Sequence, residues 1–198
     1  MTKMAIKHIT KYCSDLLQSE KCKNLPFHNF THTQEVIDNV FLISDALGIP
    51  PKETKLIVIA ACFHDTGFSE TYEGHEEVSI RLAEQYLAKA NCKKHEIDTV
   101  SSCISATKMP QDPTDRNAEI LCDADLFHLG TTDFLYRNFL LRKEWELFCD
   151  TVMTDNEWIL SNIKFLEGHR FKTPYGKDIL EKGKQENLNK LKQLIRLQ

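Results

Sequence analysis

Three places in this 198-residue chain carry side chains that could do chemistry together: His32, the His64-Asp65 pair, and the Asp123-Ala124-Asp125 run. Imidazole nitrogens and carboxylate oxygens arriving from separate segments make a mixed N/O donor set. Such a set suits Mn, Fe, Co, Ni, Zn or Mg and not a thiolate zinc site. His32 lies four residues before Val36, on the apolar face of its segment, so it should point inward. His64 and Asp65 end the most hydrophobic segment of the chain. A carboxylate beside an imidazole in such a place costs several kcal/mol unless a charge compensates it, and a metal ion is one natural compensation. Each piece alone has an ordinary explanation: a hydrogen-bonded core histidine, a helix C-terminal feature, an aspartate cap. Their joint presence, in order, around one apolar core favours a site.

The elements that must position these groups read as helices throughout. Gly is scarce, period-2 alternation is nearly absent, and apolar residues recur at helical spacing. Lys3 to Lys21 places Ile6, Ile9, Cys13, Leu16 and Leu17 on one face. Thr31 to Leu47 repeats Val36, Val40, Ile43 and Leu47, and ends at Gly48 and Pro50-Pro51. The next helix, about Lys52 to His64, is apolar all round from Leu56 to Phe63 and should be the buried central one. Further helices are predicted over His75–Lys89, Lys94–Thr107, Ala118–Leu129, Thr132–Phe148, Asp155–Phe165 and Tyr175–Leu197, with a Pro- and Asp-rich loop from Met109 to Asn117. No repeat or linker divides the chain, so one all-α domain over residues 1–198 is expected. The aromatic-rich stretch Phe134–Phe148 reads as core, with part of a pocket wall as the alternative.

Bulk properties narrow the classes. A net charge of -4 and a pI near 6.1 leave no footprint for a nucleic acid polymer or an anionic membrane. The seven cysteines are odd in number and lack any CxxC pair, which fits reduced thiols in a cytosol better than a disulfide framework. The N-terminal residues carry no signal-peptide pattern, and no apolar run approaches the ~20 residues of a membrane span. A cytoplasmic protein is therefore expected.

The order His32 … His64-Asp65 … Asp125 resembles the H…HD…D signature of the HD-domain superfamily, over roughly residues 25 to 150. The resemblance implies an HD-domain helical bundle whose four signature residues bind a divalent metal ion, the HD aspartate often bridging two. Phe27-His28-Asn29-Phe30-Thr31-His32-Thr33 is similar to the YHNxxHA stretch of class I cyclic-nucleotide phosphodiesterases. By that likeness His32 is a metal ligand and His28 the general acid. Cys122-Asp123-Ala124-Asp125-Leu126 is similar to the Cys-Ala-Asp-Leu motif of the same family, which makes Asp125 the ligand and leaves Asp123 as a supporting or alternative one. The phosphodiesterases continue HDxxHxG, whereas this chain reads His64-Asp65-Thr66-Gly67-Phe68, so that further histidine is missing. Their nucleotide-clamping glutamine region has no recognisable counterpart. The likeness therefore supports metal chemistry more than a cyclic-nucleotide substrate. His75, in Gly74-His75-Glu76-Glu77, stands as a ligand for a second ion or as a phosphate contact. Lys108 is a candidate phosphate-binding residue and Arg116 has similar standing, while His128 is a candidate neighbour of the site. His8, His95 and His169 are expected at the surface.

The function implied is hydrolysis of a phosphate ester, a nucleotide or related phosphomonoester or phosphodiester, by a metal-activated water, with Asp65 and His28 as catalytic groups. Two readings of another kind stand beside it: a regulatory HD domain that binds metal or nucleotide without turnover, and a di-iron oxygenase of the same fold. The expected partner is a small phosphate-ester molecule, and the sequence assigns no oligomeric state.

Overall fold

The computed structural model describes residues 3–149 and 151–196, without the side chains of residues 3–5. Among the described residues there is no strand. The helices are α1 (Lys3–Leu17), α2 (Phe30–Ala46), α3 (Pro51–Phe63), α4 (His75–Lys89), α5 (Lys94–Ala106), α6 (Arg116–Asp125), α7 (Phe134–Phe148), α8 (Asp155–Gly168) and α9 (Glu181–Arg196). Short 3-10 turns follow α3 (Thr66–Ser69) and α6 (Phe127–Gly130), and a π-helical turn (Gly176–Leu180) leads into α9. They form two compact units, residues 1–125 and 126–198. Among the described residues no helix is long and apolar enough to cross a membrane, and all seven cysteines are free thiols.

In the first unit α3 is the axis, contacted by α1, α2, α4, α5 and α6. Its start is preset by Pro51, whose fixed φ and missing N–H suit the first helical position. From Ile57 to Phe63 every side chain is buried, so the all-round apolar run sits where the sequence requires. α2 opens on Asn29, whose Oδ1 accepts the N–H groups of Thr31 and His32 while its Nδ2 donates to the carbonyls of Leu25 and Pro26. One side chain thus ties the incoming turn to the first turn of the helix that carries His32. Asn29→Ala removes this cap and should cost about 1–2 kcal/mol, measurable as a shift of the denaturant midpoint at unchanged slope. α2 closes with Gly48 in the left-handed region (φ 63°), where Gly48 N–H reaches Asp45 O and Ile49 N–H reaches Ser44 O, the paired bonds of a Schellman motif.

Helix ends differ from the periodicity reading where side chains take over the backbone's partners. α1 stops at Leu17 instead of Lys21, because the Cys22 thiol and Ser19 N–H both bond Leu16 O. α6 begins at Arg116, earlier than Ala118, because Asp115 Oδ1 accepts Ala118 N–H as an N-cap. It also ends at Asp125: the single helix expected to Leu129 is two pieces, broken at Leu126. Leu197, the predicted end of the last helix, lies outside the described residues.

In the second unit Leu129, Phe134, Leu166, Phe171, Leu180, Leu188 and Leu191 form the core. Gly183 is obligatory there, since a Cβ would stand 2.0 Å from Gly130 O. Lys184 is fully buried, its Nζ donating to His169 O at 2.6 Å and lying 2.9 Å from Glu181. Two expectations fail in this unit. The aromatic stretch of α7 is not a core stripe: Leu135, Tyr136, Phe139 and Leu147 are exposed, and beside Phe134 the buried members of that helix are Arg137 and Glu144. His169 is not a surface residue. Both its ring nitrogens are buried without a hydrogen-bond partner, and burial holds its basicity down to about 4.

Candidate metal centre

The site is assembled where α3 ends. The last carbonyls of a helix need partners from outside it. Here Ala61 O is 2.8 Å from His64 Nδ1, and Phe63 O accepts the Thr66 hydroxyl at 2.7 Å. The first bond fixes the tautomer: with Nδ1–H given to the carbonyl, neutral His64 turns a bare Nε2 lone pair toward the site. That Nε2 lies 3.1 Å from Asp65 Oδ2 and 3.6 Å from Asp125 Oδ1. His32 Nε2, from α2, lies 3.1 Å from Asp125 Oδ1 and 3.7 Å from Asp65 Oδ2. One ligand atom each from His32, His64 and Asp125 falls within 4.8 Å of the others, a group that could hold a metal ion. α6 is held in place behind Asp125 by Asn39, which donates to Ala124 O at 3.1 Å.

The residues fit a divalent ion. His64 Nε2 and Asp65 Oδ2 are both buried and neither has a hydrogen-bond partner. Their 3.1 Å approach lacks hydrogen-bond alignment, so it leaves a lone pair and an anion facing each other away from water. Such orphaned buried atoms cost about 1–3 kcal/mol each, and a cation between them and Asp125 removes that cost. Without a cation, protons do the work. Burial opposes charge on His64, but Asp65 and Asp125 outweigh it and hold its basicity well above the ordinary imidazole range. Burial likewise opposes ionisation of both carboxylates. His64 outweighs it at Asp65, and His32 and His64 at Asp125, so each stays well below the usual carboxylate range.

His75 joins from the start of α4. Its Nδ1 lies 3.3 Å from Tyr72 O, which leaves Nε2 directed at Asp65 Oδ1, 3.6 Å away. Asp65 is therefore flanked on both oxygens, by His64 and His32 at Oδ2 and by His75 at Oδ1. The approach depends on Gly67, where a Cβ would stand 1.9 Å from His75 O. Gly67 N–H also donates to the buried Ser79 hydroxyl at 2.8 Å, locking the 3-10 turn onto α4. Phe68, at the position of the missing histidine, stacks on His75 (3.9 Å between centroids) and on His28 (4.6 Å). His28 lies 5.9 Å from His32, centroid to centroid, and is half-buried. The side chains of His32, His64 and Asp65 keep 5% exposure or less, whereas Asp125 keeps 16% and His75 19%. The open side of the site is the side of Asp125 and His75.

The remaining candidates fall elsewhere. Asp123 is buried but sits two residues from Asp125 on α6, and residues two apart do not share a helix face. It is absent from the group around His32 and His64. Lys108 is exposed and paired with Glu77. Arg116 donates to Leu47 O at the surface. His128 lies on the 3-10 turn of the second unit. Sequence reasoning missed Gln111, whose Nε2 lies 3.3 Å from Asp125 Oδ2. A lone glutamine in a polar loop carries no pattern that would single it out.

The HD-domain family model matches residues 29–130, just over half of the chain. The chain belongs to the HD-domain family. Its structure is similar to that of a predicted HD superfamily hydrolase from an uncultured Thermotogales bacterium, with a TM-score of 0.64, 18% identity, and 98% of this chain and 91% of that one covered. That likeness is one of fold. No curated protein matches the chain.

Proposed function

We propose that this protein hydrolyses a phosphate ester, a nucleotide or related phosphomonoester or phosphodiester, at a divalent metal centre held by His32, His64, Asp65 and Asp125. The observation that carries the reading is the pair of buried, unpartnered donor atoms, His64 Nε2 and Asp65 Oδ2, inside that cluster. A divalent ion bound there would supply Lewis acidity and lower the pKa of a water, which is the nucleophile a phosphate ester needs near neutral pH. The protein does the rest. Ala61 O and Tyr72 O orient His64 and His75 through their Nδ1 atoms. Asp65, with imidazoles on both oxygens, is placed to serve one ion or two, His75 being the ligand of the second or a contact for a phosphoryl oxygen. The substrate enters from the side of Asp125 and His75.

His28 is the general acid of this reading: as imidazolium, its ring N–H gives a proton to the leaving alkoxide. Phe68 and Phe27 hold the ring, and a half-buried imidazole next to a site keeps access to solvent protons. His28→Ala should lower kcat by about 10²–10⁴ while leaving metal content unchanged. An equal loss of metal would remove His28 from this role and make it a structural support of the centre.

The test of the function is a metal analysis of protein purified without chelator, followed by hydrolysis of bis-p-nitrophenyl phosphate and p-nitrophenyl phosphate with Mn, Ni, Co or Mg. Bound metal with turnover is the expected result. Iron with oxygen consumption would point instead to an oxygenase. Absence of both metal and turnover would overturn the proposal. The partner proposed is a small molecule and not a nucleic acid polymer or membrane, and the place of action proposed is the cytoplasm.

A further inference from the structure

Resting on the metal-centre reading above, we infer that Gln111 is a positioning residue for the metal ligand Asp125, holding that carboxylate to one-oxygen ligation. The two carboxylate oxygens have different neighbours. Oδ1 faces the donor cluster, 3.1 Å from His32 Nε2 and 3.6 Å from His64 Nε2. Oδ2 lies 3.3 Å from Gln111 Nε2. A carboxylate has no donor of its own when ionised, so the contact requires the amide N–H₂ of Gln111 to be the group directed at it. A hydrogen bond to an ionised acceptor is among the stronger neutral-to-charged contacts, and it occupies the oxygen that would otherwise turn into the centre.

The elements on either side make this contact a fixed one. Asp125 is the last residue of α6, where a side chain has more freedom than in mid-helix, and its side chain is more exposed than those of His32 and His64, the two imidazoles grouped with it. Asn39 fixes the backbone one residue earlier, at Ala124 O, but does not touch the carboxylate. Gln111 acts on the side chain itself. It comes from the Pro-rich segment between α5 and α6, and its side chain is half-buried. The geometry therefore divides the labour: Asn39 places the end of α6, and Gln111 chooses which oxygen of Asp125 meets the ion.

The test is metal binding by the full chain, with Gln111→Met, which keeps the length and removes the donor, beside Gln111→Ala. Chelator-treated proteins are titrated with Co(II) and with Mn(II), reading affinity and the visible Co(II) absorption band. Both variants should weaken metal binding by about 10–100-fold and change the Co(II) band, because freeing Oδ2 alters the ligand field. The thermal midpoint of the chelator-treated protein should stay within a degree or two of the native chain, as the loop lies at the surface. Native protein that binds Co(II) tightly, with variants that bind equally well and give the same band, would overturn this inference alone. A chelator-treated midpoint that drops together with affinity, at an unchanged band, would overturn it too, and would make Gln111 a structural residue. Native protein that binds no metal would overturn the metal-centre reading and this one with it.

Discussion

An Asp65→Ala protein is expected to lose its divalent metal and its hydrolytic turnover together, the latter by more than about 10³-fold, or about 4 kcal/mol of transition-state stabilisation. The argument is positional. Asp65 has His64 and His32 near one oxygen and His75 near the other, so one carboxylate links imidazoles from α2, the end of α3 and the start of α4. Removing it leaves two imidazoles and Asp125, one negative charge where two had balanced the ion. The fold should survive. Breaking a buried ion pair can cost about 3–5 kcal/mol when a charge is stranded, but the partners here are imidazoles that can be neutral, and His64 loses with Asp65 one of the two carboxylates that raise its basicity. The check is metal content by elemental analysis, hydrolysis of both nitrophenyl esters, and a circular-dichroism melt of the same sample. A folded Asp65→Ala protein that keeps a full complement of metal would refute the assignment.

Gly67→Ala is expected to produce a large loss of stability for a single methyl group. The added Cβ would lie 1.9 Å from His75 O and 2.7 Å from His75 C, contacts with backbone that no rotamer change can relieve. Either the 3-10 turn or the start of α4 must move. Moving the turn breaks the bond from Gly67 N–H to Ser79 and disturbs Asp65. Moving α4 carries His75 away from Asp65 Oδ1. Overpacking of this kind costs about 3 kcal/mol, equivalent to roughly 6–12 °C in Tm for a domain of this size. A misplacement near 1 Å at reacting groups can cost about 10²-fold in rate. Differential scanning calorimetry and the same hydrolysis assay report the two effects, and a variant with native Tm and native turnover would show that the turn and the helix do not meet as described.

How much of this was legible beforehand depends on whether a feature is local. The helices were, because each buries one face or, for α3, all faces, and apolar spacing records that directly. The order of His32, His64-Asp65 and Asp125 was legible too, because His32 continues the apolar face of α2 and His64-Asp65 closes a helix that must be central. Helix ends were read less well, since Asp115 and Cys22 set them through side-chain bonds to backbone that periodicity does not register. The inverted α7 was missed because a run of Leu, Tyr and Phe resembles a core stripe, whereas after Phe134 its buried positions are taken by Arg137 and Glu144.

The sequence by itself determined an all-helical protein, a central apolar helix ending in His-Asp, and a set of imidazoles and carboxylates able to meet a divalent ion. These follow from residue type and from a repeat of 3.6, which act over neighbouring turns. Only the tertiary structure decided the rest. It set which oxygen of Asp65 faces which imidazole, brought His75 in past Gly67, passed over Asp123, and set Gln111 against Asp125. Each of these is a contact between segments distant in the chain, and its existence depends on how helices pack against α3 and on whether one position lacks a Cβ.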